Sequence, residues 1–363
     1  MSPERASLTV WVSTRLVLAA VVLVGAVLSG EGATAWLDRW DRWDVGLFRK
    51  VAQFGYDGYP VDYPDVGTPA FFPGLPLVLR ALQPLVGDWT ATGLLVSLVA
   101  GGVAAWHLSR LAEAAAPGAG PRAVLYLALS PYAVFLAAGY SESLFLACAL
   151  PAWRAARSGR WAVAGGCAAL ATSVRVTGLF LAAALLVELV LACRRSGRAP
   201  SLSALWLLAP FLAAGAYAGY LWTLTGDWLA WPHAQQAGWG RRLTDPWSAL
   251  SATWGGATSD LPPEYVWSYR AEIGAVVLGI ALTVLLVRRR QWAESVYVGL
   301  SVVVLATSAT YMSVPRAALL WWPLWVLLAV AGRRLLVHVG YLAVALPLCV
   351  LLTHVFTEGR WVA

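Results

Sequence analysis

Three carboxylates and three tryptophans interleave in Trp36-Leu-Asp-Arg-Trp-Asp-Arg-Trp-Asp44, directly after the first long apolar run of the chain. A carboxylate placed where a membrane span surfaces is half desolvated, so its basicity is tunable and it can serve as a general base. Tryptophan favours the same depth because its ring is amphipathic. On the motif alone, Asp38, Asp41 and Asp44 read equally well as solvated acids of a membrane-surface anchor. Four further sets put polar groups at the ends of apolar runs, where ionisable side chains are costly and mark candidate sites. Gly139-Tyr140-Ser-Glu142-Ser is the first and Ser173-Val-Arg175-Val-Thr-Gly178 the second. The third runs from Gly226-Asp227-Trp through His233, Gln235 and Gln236 to Trp239-Gly-Arg241-Arg242, and the fourth is Ser313-Val-Pro-Arg316.

One carboxylate, several guanidinium groups and aromatic walls suit a sugar joined to a phosphate. Aromatic faces pack on sugar rings, and arginine clamps phosphate through two parallel N–H bonds. The matching reaction is glycosyl transfer. A carboxylate takes the proton of an acceptor hydroxyl as it attacks the anomeric carbon, and arginine stabilises the departing phosphate. Such a leaving group needs little general acid, so one essential carboxylate suffices, unlike the paired carboxylates of glycosidases. Blander roles stay open for each residue. Glu142 and Arg175 also fit a structural ion pair, Arg316 a snorkelling end residue, and Arg241 with Arg242 solvated loop charge. Asp38 and Asp41 also fit plain surface residues, since only one base is needed.

The elements that must position these groups are membrane spans. The chain has 363 residues, of which 60% are apolar and only 12% charged, and its mean hydropathy is +0.67. A soluble chain carries about 25% charged residues. Apolar runs cover roughly 9–29, 90–108, 123–139, 142–153, 161–174, 177–193, 202–224, 272–287, 293–311, 317–332 and 335–355. The expectation is an all-α polytopic membrane protein with about eleven transmembrane or re-entrant helices, several shorter than the roughly 20 residues of a full crossing. The first run, too long for a signal h-region, reads as a retained signal-anchor helix.

Arginine clusters at alternate joints: Arg110 and Arg122; Arg154, Arg157 and Arg160; Arg194, Arg195 and Arg198; Arg288 to Arg290; Arg333 and Arg334. The positive-inside rule then places the N-terminus in the cytoplasm and all five candidate sets on the outer face of the cell membrane. The same rule accounts for the net charge of +7 without a nucleic-acid partner. Two outer segments, about 30–89 and 225–271, are too long for mere connectors and form the expected active-site face of a single transmembrane domain covering 1–363. In the first, Val45 to Phe54 reads as an interfacial helix, Tyr56 to Thr68 is rich in Tyr, Pro and Asp, and Ala70-Phe-Phe-Pro-Gly-Leu-Pro-Leu dips back into the membrane. Cys148, Cys167, Cys193 and Cys349 lie in apolar stretches without metal-ligand spacing and read as packing residues. His107, His338 and His354 read as packing or interface residues. No Walker A sequence supports ATP-driven transport.

Taken in order, these segments resemble the PIG-V family of mannosyltransferases, within the GT-C superfamily of multi-span glycosyltransferases. The resemblance runs from about residue 36 to 325. It rests on Trp43-Asp44 before Val51-Ala-Gln-Phe-Gly55-Tyr56, on Ala70-Phe-Phe72-Pro73-Gly-Leu-Pro76, and on Ser130-Pro-Tyr with Gly139-Tyr-Ser-Glu-Ser-Leu-Phe145. It continues in Ser173-Val-Arg-Val-Thr-Gly-Leu179, in Gly226-Asp-Trp through Gln235 to Trp239-Gly-Arg241, and in Ser313-Val-Pro-Arg316. The family pattern is a Trp-Asp followed eleven residues later by Gly-Tyr, and counting back from Gly55 gives Asp44. The resemblance therefore implies a GT-C fold, Asp44 as the catalytic base, and polyprenyl-phosphate mannose as donor. It implies a lipid or glycolipid acceptor, no metal and no cofactor. The implied substrate-binding residues are Trp43, Tyr56, Phe72, Tyr140, Glu142, Arg175, Gln235, Trp239, Arg241 and Arg316. A β-linked donor would be inverted in one displacement to an α-mannoside.

The chain departs from the family pattern at Leu47-Phe48, where relatives tend to carry Trp/Tyr-Tyr. It departs again at Gly74-Leu75, where Leu-Tyr is common, and at Ala317, where Tyr is usual. Transfer of another polyprenyl-phosphate-linked sugar is the nearest alternative. A lipid or solute transporter would show a repeat relating two halves and broken helices meeting at mid-membrane. The sequence holds no such repeat. A noncatalytic scaffold would tolerate loss of Asp44.

Overall fold

The structure is a computed structural model that describes residues 2–57 and 67–362. Most of the Tyr56 to Thr68 segment singled out above lies outside the described residues. Helix α1 (Pro3–Leu28) leads through two short 3-10 turns to α2 (Asp44–Phe54), α3 (Gly74–Val86), α4 (Trp89–Ala115) and α5 (Gly120–Ala128). Then come α6 (Glu142–Arg157), α7 (Trp161–Val174), α8 (Gly178–Ser196), α9 (Ala209–Thr225), α10 (Ala230–Trp239) and α11 (Pro246–Ala257). The chain ends with α12 (Pro263–Arg288), α13 (Trp292–Ala306), α14 (Val314–Ala317), α15 (Trp322–Ala331) and α16 (Leu335–Thr357). Among the described residues there is no strand, only one antiparallel bridge between Leu243 and Ser308.

The chain is a multi-pass membrane protein. Among the described residues, five helical segments are long and apolar enough to cross a bilayer: Pro3–Leu28, Trp89–Ala115, Leu202–Thr225, Pro263–Arg288 and Leu335–Thr357. A bent pair, Val314–Leu320 with Trp322–Ala331, makes a sixth if it is one span. Of the other expected runs, 142–153, 161–174 and most of 293–311 lie in helices of 14 to 16 residues, and 177–193 corresponds to the 19-residue α8. Residues 123–139 divide into α5 and a 3-10 turn (Ala133–Leu136) around Ser130-Pro-Tyr, where proline breaks the helical ladder. Helix α12 starts at Pro263, nine residues before the apolar run, because proline at the first helical position needs no hydrogen-bonded N–H. Hydropathy marks depth in the membrane, not the helix start.

Residues group into two compact units. The first comprises 2–49, 75–150 and 319–362. Within it α1 packs against α4, α5 and α16. Trp11 lies flat on α4, where a Cβ on Gly101 would fall 1.9 Å from its ring, and its indole N–H donates to Leu98 O at 3.0 Å. Arg15 is buried in α1. Its guanidinium donates to Ala128 O (2.5 Å) and Ala133 O (3.1 Å) and sits over the Trp11 ring. A cation at the carbonyl end of α5 offsets the exposed dipole there and satisfies groups no water reaches.

The second unit comprises 50–57, 67–74 and 151–318 of the described chain. Here α7 packs on α9, α8 on α13, and α12 on both α11 and α13. Buried Glu188 of α8 holds Arg195 at 2.6 Å and Arg157 at 3.5 Å, so two arginine clusters assigned to one face by sequence meet at one end of this unit.

Candidate active site

The candidate residues divide between the units: Trp43, Asp44, Tyr140 and Glu142 belong to the first, the other seven to the second.

In the first unit the three aspartates of the tryptophan motif have different environments. Asp38 is exposed, and Asp41 is ion-paired with Arg49. Asp44 is half-buried and opens α2, where the positive end of the helix dipole favours a carboxylate. The preceding Trp43 has a φ of 53°, a left-handed conformation that is strained for a bulky side chain and clusters at functional sites. Its ring, 45% exposed, meets Trp361 edge-on at 5.3 Å. The Tyr140 hydroxyl bridges this kink: it accepts the Asp44 N–H at 3.2 Å and donates to Arg42 O at 3.4 Å. Tyr140 is 1% exposed and edge-packed on Phe48, Phe135 and Phe356. Glu142 begins α6 and is fully buried.

Arg39, which the sequence reading left unassigned, anchors the same segment. It is buried and bonds Glu31 at 2.9 Å and Glu358 at 2.5 Å. The bond to Arg39 holds the Glu358 carboxyl below the usual range, and the bond to Glu31 contributes most to raising Arg39. Arg42 Nε donates to Thr357 O at 3.2 Å, so the end of α16 carries the loop that presents Asp44.

In the second unit the candidates Tyr56 and Gln235, together with Tyr217 and Trp231, converge on the backbone of 69–71. Tyr217 donates to Pro69 O (2.8 Å) and Phe71 O (2.9 Å), and Tyr56 donates to Phe71 O at 2.6 Å. Trp231 Nε1 and Gln235 Nε2 donate to Ala70 O at 3.2 and 3.5 Å. Phe72 packs on Tyr217 at 4.7 Å in a buried cluster with Val51, Tyr56, Leu221 and Ala230. Trp239 meets Phe71 edge-on at 5.3 Å. Beneath it Gly67 has a φ of 82°, and a Cβ there would fall 2.6 Å from the Trp239 ring, so a side chain is excluded twice over.

From Gln235 the network continues to the fourth set. Arg241 donates to Gln235 Oε1 at 3.5 Å and to Met312 O at 3.3 Å. Ser313, at φ 61°, starts a turn whose successive N–H groups point one way and form an anion-binding nest. Its anion is internal: Glu272 Oε1 accepts the Ser313 N–H at 2.7 Å and Oε2 the Val314 N–H at 2.8 Å. Arg241 acts on the same carboxylate electrostatically. Arg316 is buried three residues on. Glu272 was missed as a site residue, although an acid at the edge of an apolar run is the signal that could have found it. Arg175, at the end of α7, is half-buried, and its charge is felt at Tyr297. Asp227 and His233 form an exposed pair at 2.6 Å, which holds the Asp227 carboxyl below its ordinary value.

Residues 18–194 match the family model described as Mannosyltransferase (PIG-V). The match covers just under half of the chain. It contains Asp44, Tyr56, Phe72, Tyr140, Glu142 and Arg175, so the PIG-V match covers the kink at Asp44, while Gln235, Trp239, Arg241 and Arg316 lie beyond it. Among curated proteins the chain is similar to GPI alpha-1,6-mannosyltransferase 2 of Cricetulus griseus, 38% identical over 152 residues. The same-named proteins of Rattus norvegicus and Mus musculus are 38% and 37% identical over 152 residues. Each alignment covers 38% of this chain and 29% of the relative's length.

Proposed function

We propose that the protein is a membrane glycosyltransferase moving mannose from polyprenyl-phosphate mannose to a hydroxyl of a lipid-linked or glycolipid acceptor. The observation that carries this reading is Asp44 itself. It lies within the PIG-V match, opens a helix, and is tied through its backbone to a buried tyrosine.

In the proposed reaction the Asp44 carboxylate takes the acceptor hydroxyl proton. The acceptor oxygen bonds to the anomeric carbon as the bond from that carbon to the phosphate oxygen breaks. Polyprenyl phosphate departs, its charge stabilised by arginine. A β-linked donor gives an α-mannoside by single inversion. Arginine supplies the positive charge on the phosphate, so neither metal nor cofactor takes part in this scheme. The arginine bias of the joints supports a cytoplasmic N-terminus, with Asp44 at the extracytoplasmic face of the cell membrane. The relatives' name specifies GPI and an α-1,6 linkage; for this chain the proposal is the wider class, a glycolipid hydroxyl.

Transfer of another polyprenyl-linked sugar is the second reading, and one departure favours it. Phe48 and Leu75 are core residues, so those departures bear on packing. Ala317 is half-buried directly after Arg316, where a smaller side chain would alter the space offered to the sugar.

The test is transfer of radiolabelled mannose from polyprenyl-phosphate mannose into lipid extracts by purified wild type and Asp44→Asn. Label with wild type alone supports the reaction and the base. A variant retaining more than about a tenth of wild-type turnover removes Asp44 from that role. No transfer by wild type, where a control enzyme works, overturns the mannose donor and turns the assay to other polyprenyl-linked sugars.

A further inference from the structure

At the other end of the first unit from Asp44, α1, α5, α16 and the turns that precede α5 and α16 line an open cavity of about 400 Å³. Val10, Arg122, Leu125, Arg333, Leu335 and His338 are among its lining residues. Val10 precedes the end of α1 at Leu28 by eighteen residues, about 27 Å of helix. His338 lies in the first turn of α16, whose far end at Thr357 holds Arg42. The cavity is therefore a helix length away from the candidate base.

Its chemistry is that of a phosphate site with apolar walls. Arg122 uses Nη1 on Ala329 O at 2.8 Å, which leaves four of the five guanidinium N–H groups. Arg333 is exposed at the rim. His338 Nδ1 lies 2.8 Å from the Tyr126 hydroxyl; with that hydroxyl as donor, Nε2 carries the ring proton and is a third donor. No lining residue is acidic. The Glu113 carboxylate, beside the turn that supplies Gly118, is taken up by the Gly118 and Gly120 N–H groups at 2.9 and 2.8 Å. Leu335 and Leu336 are 75% and 85% exposed beside the opening, apolar surface that acyl chains would cover. Basic pockets between membrane helices at the arginine-rich face bind anionic headgroups.

We infer that this cavity is a binding site for the phosphate of an anionic phospholipid headgroup, separate from the sugar chemistry at Asp44. The full-length protein, in nanodiscs of phosphatidylcholine with one-fifth phosphatidylglycerol, would be released into neutral detergent and its retained lipid counted by native mass spectrometry. Wild type should retain phosphatidylglycerol over phosphatidylcholine, and Arg122→Gln/Arg333→Gln should lose at least about tenfold of that preference. Arg122 also bonds Ala329, so the single Arg333→Gln variant, at an exposed position, keeps the test valid should the double variant misfold; it should lose a smaller part. Equal retention of both lipids by wild type, or an unchanged preference in Arg333→Gln, overturns the site. Displacement of phosphatidylglycerol by an equal concentration of inorganic phosphate overturns the lipid as occupant.

Discussion

The hydroxyl of Tyr140 accepts the backbone N–H of Asp44 at 3.2 Å, across 96 residues of sequence. The bond fixes the first peptide of α2 at the strained Trp43 kink, and so fixes where the carboxylate emerges. Its phenol is held in turn by three aromatic neighbours, so the candidate base is positioned by the core, not by its loop alone.

Tyr140→Phe keeps that packing and removes the bridge. Turnover should fall about threefold to tenfold, the kinetic equivalent of one net hydrogen bond of ~0.5–1.5 kcal/mol. Melting in detergent should shift little. Asp44→Asn should cost about a hundredfold or more in mannose transfer. If Tyr140→Phe abolishes folding instead, the bridge is structural and the kinetic comparison loses its basis.

Arg241→Ala removes the donor that joins Gln235 to the backbone of Met312. Donor affinity should weaken along with turnover, and Gln235→Ala should add less in the Arg241→Ala background than in wild type. A double-mutant cycle on donor binding reads this directly. Strict additivity would mean the two residues act independently.

Glu358 has a lowered carboxyl pKa in the fold, chiefly through its bond to Arg39. A depressed carboxylate contributes stability above its unfolded value of about 4.3, and that contribution is lost as pH falls through the lower folded value. Wild type should therefore melt above Glu358→Gln at pH 6, with the gap closing as pH drops below about 4.3. A gap that is constant down to pH 3 would contradict the linkage.

Arg15→Met should destabilise the first unit by about 1–3 kcal/mol, because Ala128 O and Ala133 O lose their donor where water is absent. Thermal unfolding followed by size-exclusion fluorescence measures it. A variant as stable as wild type would show that other groups satisfy those carbonyls.

Gly101→Val places a branched side chain where Trp11 now touches the α4 backbone. Overpacking of this kind costs about 1–3 kcal/mol, and Trp11→Leu in the same chain should recover part of it. No recovery would put the strain elsewhere.

Much of the architecture was legible because hydropathy and arginine bias are local quantities that one dimension preserves. The runs at 9–29, 90–108, 202–224 and 335–355 correspond to continuous helical segments, and the stretch Val45 to Phe54, expected to be helical, lies in α2. The ordered motifs around Trp43-Asp44 and Gly139-Tyr140-Ser-Glu142 led to the family that residues 18–194 match. The breaks at Ser130-Pro-Tyr and the early start of α12 were harder to see, because apolarity reports depth in the bilayer and not the backbone ladder.

The sequence by itself determined the class of protein and its main spans, since these depend on composition and periodicity along the chain, while Asp44 came forward as a candidate through the resemblance to the PIG-V family. Tertiary structure alone decided how the carboxylates differ: Asp41 is taken by Arg49, while Asp44 sits at a helix start under Tyr140. It alone revealed Arg15, Arg39 and Glu272, whose partners lie 118, 319 and 41 residues away. A buried charge is stable only beside a specific partner, and no local pattern records a partner that the fold brings in from so far along the chain.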